Sequence, residues 1–219
     1  MVLVFGMLNI KKFLLLMTLM VFFQSCLGVL TPNINNMISS KKGDTKYNVS
    51  LGGIYDTKEY IVNGEVTEDQ KKMPAIYASY QIKTQKDISY EFFLAGIRRI
   101  DELYTGGSFY FNIYESIYLP LAAVGGNIGI LTGFKTKNFN FYLSSKFDAY
   151  RIIDFFGEGS EPLLNYYYNN TTSLGLSFNN KNTSFFLEAT LSKNIYESNK
   201  SQVANKIDDL YLVYLGVSF

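Results

Sequence analysis

The chain has 219 residues, enough for one domain of ordinary size, and its 20 basic and 19 acidic residues leave a net charge of +1. That balance offers no electrostatic footprint for nucleic acid. There is no histidine and only one cysteine, which removes the usual general base, the usual partner of a nucleophilic serine, any zinc site built from Cys and His, and any intrachain disulfide. Against this stand 18 Tyr, 18 Phe, 17 Gly and only 4 Pro, a composition that suits long strands with flexible corners.

The chain opens with Lys11 and Lys12 ahead of an apolar run over residues 13–23. A run of about 11 residues has the length of a signal-peptide core and is short for a bilayer span. Residues 1–26 therefore read as a cleaved signal peptide, with Met7 as the alternative start because MLNIKK makes an ordinary basic lead-in. Simple cleavage between residues 25 and 28 is one reading. The other comes from Phe23-Gln24-Ser25-Cys26, which resembles the loose lipobox of bacterial lipoproteins such as those of spirochaetes and implies a lipid on Cys26. Residues 27–44, rich in Asn, Ser, Lys and Pro, read as a linker or plug-like start, and residues 45–219 as the folded domain.

From there strands follow one another to the end. KYNVSLGGIYDT alternates, with Tyr47, Val49, Leu51 and Tyr55 opposite Asn48, Ser50 and Gly52. EYIVNGEV carries Asn63-Gly64, a strong hairpin signal, and reads either as a loop or as a short strand. PAIYASYQIK sets Ile76, Ala78, Tyr80 and Ile82 against Tyr77, Ser79, Gln81 and Lys83, before a polar corner at residues 84–87. SYEFFLAGIRR reads as one strand, GSFYFNI as the next, and Tyr114-Glu115-Ser116 as a tight turn. IYLPLAAVGGNIGILTGF reads as a single long strand bent or bulged at Pro120 and Gly125-Gly126. After a turn at KTKN comes NFNFYLSSKFDAY, with Phe139, Phe141, Leu143 and Phe147 on one face and Asn140, Tyr142, Ser144, Lys146 and Asp148 on the other. Residues 153–163 read as a loop, TSLGLSF and TSFFLEATLS as a hairpin, residues 197–206 as a second polar loop, and DDLYLVYLGVSF as the last strand.

Past the leader no apolar run reaches about 18 residues, so a membrane crossing would have to be a closed barrel. Strands of about ten residues, apolar on one face and polar or small on the other, are the pattern of a transmembrane β-barrel. A soluble barrel has the same alternation turned inward. Two features favour the outward reading: the polar faces carry Ser, Gly, Asn and Thr more than Lys and Glu, and tyrosines recur at strand ends (55, 60, 104, 114, 118, 150, 166, 167, 168, 196), where a ring with a wet tip suits a membrane boundary. The number of strands should be even, which gives ten, or eight if weak strands fuse.

The terminal row Tyr211, Val213, Leu215, Val217 and Phe219 resembles the last strand of bacterial outer-membrane barrels, and FKTKNFNFYLSSKFDAY is similar to turn–strand units of the small opacity/OmpA-like barrels. The resemblance implies an antiparallel up-and-down barrel in the bacterial outer membrane. Its partners would be outer-membrane lipid and the barrel-assembly machinery, for which the terminal Phe row is the signal.

With the apolar face outward, Glu91, Arg99, Lys146, Asp148 and Glu188 point into the lumen, as a structural charge network or as the lining of a narrow ion path, while Arg98 falls on the lipid side. The carboxylates of GEGSEP match no calcium loop, and no metal or cofactor is implied. Small outer-membrane barrels that are acyltransferases, deacylases or omptin proteases use histidine, so their mechanisms cannot run on this chain. Three functions remain: a non-enzymatic envelope or surface-interaction barrel, a narrow ion or small-solute channel, and a soluble or lipid-anchored lipid-binding barrel.

Overall fold

The computed structural model describes residues 31–34, 40–62, 65–118, 123–153, 164–180, 182–197 and 209–219. Ten strands form the wall: β1 (Thr45–Val62), β2 (Glu65–Lys83), β3 (Ile88–Phe93), β4 (Gly96–Gly106), β5 (Phe109–Tyr118), β6 (Ala123–Lys135), β7 (Phe139–Ile153), β8 (Leu164–Asn180), β9 (Thr183–Glu197) and β10 (Asp209–Ser218). Each pairs antiparallel with its sequence neighbours, and β1 pairs with β10 to close the barrel. The closure is sealed beyond the last strand. The Phe219 N–H donates to the Tyr47 carbonyl at 3.0 Å, the Tyr47 N–H returns a bond to Phe219 at 2.9 Å, and the two rings stack at 6.0 Å.

The period-2 pattern decides which way each strand faces. On β10 the row Tyr211, Val213, Leu215, Val217, Phe219 lies outside and Leu212, Tyr214, Gly216, Ser218 lie inside; Leu215 is 65% exposed and Ser218 fully buried. The same holds around the circumference, with Leu51, Phe109, Ile117, Ile128, Phe178, Phe185 and Leu187 on the outside. In water, every Å² of that surface would cost about 25 cal/mol, and a contiguous apolar girdle is far larger than a soluble monomer presents. Acyl chains are the medium that removes this cost, so the fold is a transmembrane β-barrel. From Tyr211 to Phe219 a strand tilted by about 40° spans roughly 20 Å of membrane depth, close to the height of an outer-membrane apolar band.

Aromatic rings border the band at the end where the chain termini of the barrel lie: Tyr47–Tyr80 at 5.1 Å, Phe109–Phe134 at 5.2 Å and Phe139–Phe178 at 5.3 Å. The expected tyrosine girdle is corrected in part. Tyr114, Tyr118 and Tyr150 are buried inside the lumen, Tyr55 and Tyr104 are outside, and the side chains of Tyr60, Tyr166 and Tyr196 lie outside the description. The inward tyrosines are accommodated by glycine on the facing strand. Gly52 stands opposite Tyr214, Gly129 opposite Tyr114, Gly133 opposite Tyr110 and Gly175 opposite Tyr142. A Cβ at Gly175 would fall within the ring of Tyr142. The absent side chain lets the ring lie flat along the wall, and the ring covers backbone the glycine would leave bare.

Ten strands agree with the expected number, but the partition differs. SYEFFLAGIRR is not one strand: the chain reverses at Leu94 and Ala95, and β3 pairs with β4 from Phe93↔Gly96 to Ile88↔Asp101. A Cβ at Gly96 would collide with the carbonyl of Ile117, so only glycine fits that approach. Tyr114-Glu115-Ser116 lies within β5 rather than in a turn. IYLPLAAVGGNIGILTGF is divided between β5 and β6, with Tyr118 paired to Gly125; Pro120 itself is outside the described residues. EYIVNGEV forms no strand of its own, since Val62 at the end of β1 pairs with Glu65 at the start of β2.

Candidate functional site

The lumen is packed from wall to wall. Two apolar clusters lie along it: Ile54, Tyr77, Phe93, Tyr118, Tyr150, Phe186, Leu212 and Tyr214 in one, and Ile100, Tyr110, Tyr114, Leu131 and Tyr142 in the other. Three carboxylates are also fully buried there, each in its own shell of donors.

Glu91 on β3 accepts from the hydroxyls of Tyr77 at 2.5 Å and Ser79 at 2.6 Å, and its other oxygen takes Nη1 of Arg98 at 2.9 Å. Arg98 lies between the rings of Phe93 and Tyr114, with its guanidinium carbon 5.8 and 5.5 Å from their centroids, and its Nε donates to Ser116 at 3.2 Å. Asp148 on β7 accepts from Tyr118 at 3.0 Å, Asn127 at 3.1 Å and Thr171 at 2.9 Å, with the Lys146 ammonium 3.6 Å away. Glu188 on β9 accepts from Tyr142 at 2.8 Å and Thr190 at 3.1 Å. A buried charge is tolerable only with such neighbours, because its desolvation costs several kcal/mol. Near the end where the termini of the barrel lie, Lys83 pairs with Glu102.

Glu91, Lys146, Asp148 and Glu188 thus sit in the lumen, and Arg99 does not. Arg99 is on the outer face, its side chain 41% exposed, 3.0 Å from Asp101 and 3.8 Å from Glu115. The lumen cation on β4 is Arg98. The cause is the turn at Leu94 and Ala95. A continuous strand would keep Glu91 and Arg99, eight apart, on one face, whereas a two-residue reversal pairs Glu91 with Arg98 and inverts the parity of the residues that follow on β4. Gly96, following the apolar run Phe92-Phe93-Leu94, was the available signal for that reversal. Of the tyrosines that serve the carboxylates, Tyr77 and Tyr142 share a polar face with Ser, Asn and Lys in the sequence, which marks them as inward, whereas Tyr118 reads there as part of the boundary girdle.

The remaining occupant is the chain itself. Thr31, Pro32, Asn33 and Ile34 are buried in the middle of the barrel. The Asn33 main-chain N–H points at Glu188, 2.7 Å from Oε2 and 3.0 Å from Oε1, and its Nδ2 donates to Ser144 at 2.8 Å and Ser173 at 3.1 Å. Arg98 donates to the Pro32 carbonyl at 2.8 Å and to the Thr31 hydroxyl, and Gln81 donates to the Ile34 carbonyl at 2.8 Å. Ile34 packs into the larger apolar cluster. Within residues 27–44, read as a linker or plug-like start, these four are held inside the barrel. Cys26 lies outside the described residues, as do residues 154–163 and 198–208.

These features define a closed, ten-stranded transmembrane β-barrel of the small outer-membrane type, stoppered by its own side chains and by an N-terminal segment. No protein-family model and no curated protein matches the sequence. Among solved structures, the chain is similar to the outer-membrane protease OmpT from Escherichia coli at 9% identity and a TM-score of 0.44, over 80% of this chain and 96% of that one. It is similar to Neisserial surface protein A at 14% identity and 0.40, over 78% and 95%. It is also similar to Ail, the attachment invasion locus protein of Yersinia pestis, at 13% and 0.32, over 82% and 100%.

Proposed function

We propose that this chain is a non-enzymatic barrel of the bacterial outer membrane, sealed at rest, whose work is structural in the envelope or is done at the surface by residues 154–163 and 198–208. The observation that supports it is the filled lumen: three buried carboxylates with their donors, two aromatic clusters and residues 31–34 leave the barrel occupied along its length. The described connections at the end holding Thr45 and Phe219 are short, and the strand ends Ile153, Leu164, Glu197 and Asp209, which flank the longest intervals of sequence between strands, are at the other end. Outer-membrane barrels turn short connections to the periplasm and long ones to the outside, which orients this one.

In this reading residues 1–26 are removed as a signal peptide. The row Tyr211, Val213, Leu215, Val217 and Phe219, which lies on the outer face of the strand that closes the barrel, is what the assembly machinery recognises. A catalytic role has no histidine to run on. The reading is tested by membrane fractionation, with resistance to carbonate and heat-modifiable mobility in SDS expected, followed by planar-bilayer recording of the purified protein. Release by carbonate would favour the soluble lipid-binding barrel, and steady unit steps from the unmodified protein would favour a resting channel.

A further inference from the structure

We propose that the lumen is a binding site for an extended peptide backbone, that Thr31, Pro32, Asn33 and Ile34 of the chain occupy it in cis, and that vacating it opens an ion path through the barrel. This rests on the transmembrane barrel and on the proposed removal of residues 1–26, and not on the surface role of the loops.

The first ground is what the wall grips. Side chains from five strands reach the segment: Gln81 on β2, Arg98 on β4, Ser144 on β7, Ser173 on β8 and Glu188 on β9. Three of the gripped groups are main chain, namely the Pro32 carbonyl, the Asn33 N–H and the Ile34 carbonyl. A site that holds amide and carbonyl groups takes an extended peptide as a sheet edge takes an added strand, with side-chain preference coming second.

The second ground is that the buried charges of the wall keep partners without their guest, while the Gln81 amide gives up the Ile34 carbonyl. Glu91 keeps Tyr77, Ser79 and Arg98; Glu188 keeps Tyr142 and Thr190; Arg98 keeps Glu91 and Ser116. Structural elements that a fold depends on usually leave orphaned partners when removed. Here departure exposes Glu188, Arg98, Ser144 and Ser173, groups that water can solvate and that line a conducting path. With the leader cleaved, as proposed above, only a few residues precede Thr31. The segment is then a free end, which can withdraw without dragging a loop.

The test compares three refolded proteins in planar bilayers, each first shown to be heat-modifiable: the unmodified protein, a variant lacking residues 27–39, and Asn33→Pro, which removes the N–H and the amide in the intact chain. The unmodified protein should stay closed with rare openings, and both variants should show steady unit steps. A synthetic peptide of residues 28–37 should then close the deletion variant, and the same peptide N-methylated at the Asn33 amide should not. Folded variants as silent as the unmodified protein would overturn the proposal by showing that the aromatic clusters close the barrel alone. Conduction that the peptide does not block would overturn the binding site. Should the deletion fail to fold, Asn33→Cys with Ser144→Cys in the protein lacking residues 1–26 decides the matter. The oxidised form should be silent and the reduced form should open, and equal traces in the two forms would refute the plug.

Discussion

Arg98 Nη1 lies 2.8 Å from the Pro32 carbonyl and 2.9 Å from Glu91 Oε2, so one guanidinium joins the plug to the wall. It does so between two aromatic faces, Phe93 and Tyr114, which exclude water from the pair. The next residue, Arg99, is on the other side of the sheet beside Asp101 and Glu115. Adjacent arginines therefore have unlike energetics, and several measurable consequences separate them.

Arg98→Gln should leave Glu91 buried with its counter-charge gone, a loss of about 3–5 kcal/mol for a fully buried pair. Arg99→Gln, on a solvent-screened pair, should cost far less. Urea unfolding in lipid vesicles checks the order. Equal effects would mean that the inward position on β4 is wrongly assigned.

Gly175→Ala should destabilise by about 1–3 kcal/mol, because the new methyl must displace the ring of Tyr142, which also donates to Glu188. In a double-mutant cycle with Tyr142→Ala most of that cost should vanish, since the ring that clashes is no longer there. Additive penalties would show that the glycine is needed for something other than the ring opposite it.

Leu215→Arg should cost about 2–4 kcal/mol if that position is near the bilayer midplane. Inserting the same charge on the outer face at Asp209, where Lys193 already lies 4.0 Å away, should cost far less. Refolding yields into vesicles, read by heat-modifiability, measure both. A tolerated Leu215→Arg would contradict an outward apolar band.

Deleting Phe219 removes two backbone bonds to Tyr47 and a ring stack, a loss of roughly 1–3 kcal/mol by ordinary hydrogen-bond values. The purified variant should still refold in detergent. Its level in the outer membrane of cells should fall much further than that loss explains, if the terminal row is also read during assembly. Parallel decreases in the two assays would reduce Phe219 to a purely structural role.

Several of these features were readable in the one-dimensional pattern. Alternation at period 2 is local, so Tyr211 to Phe219 and Phe139 to Phe147 announced their outer faces, and Ser, Asn and Tyr on the opposite faces announced a crowded polar interior. The failures came where a turn was hidden. Leu94 and Ala95 carry no Asn-Gly or Asp-Gly signature, and reading through them placed Arg99 inside and Arg98 outside. Tyr114-Glu115-Ser116 looked like a corner because its polar residues were counted, whereas Tyr114 and Ser116 are simply the inward positions of β5.

The sequence by itself determined the class of wall: strands with one oily face, and a final aromatic on the outward row. Those traits need only neighbouring residues, because strand geometry sends alternate side chains to opposite sides. Only the tertiary structure decided what fills the centre. Residues 31–34 have no periodicity that marks them as lumen-bound, and Glu188 gives no sign that it faces an amide 155 positions away. Closing the sheet brings five strands around one short segment, and the burial this imposes makes each charge require the partners it has.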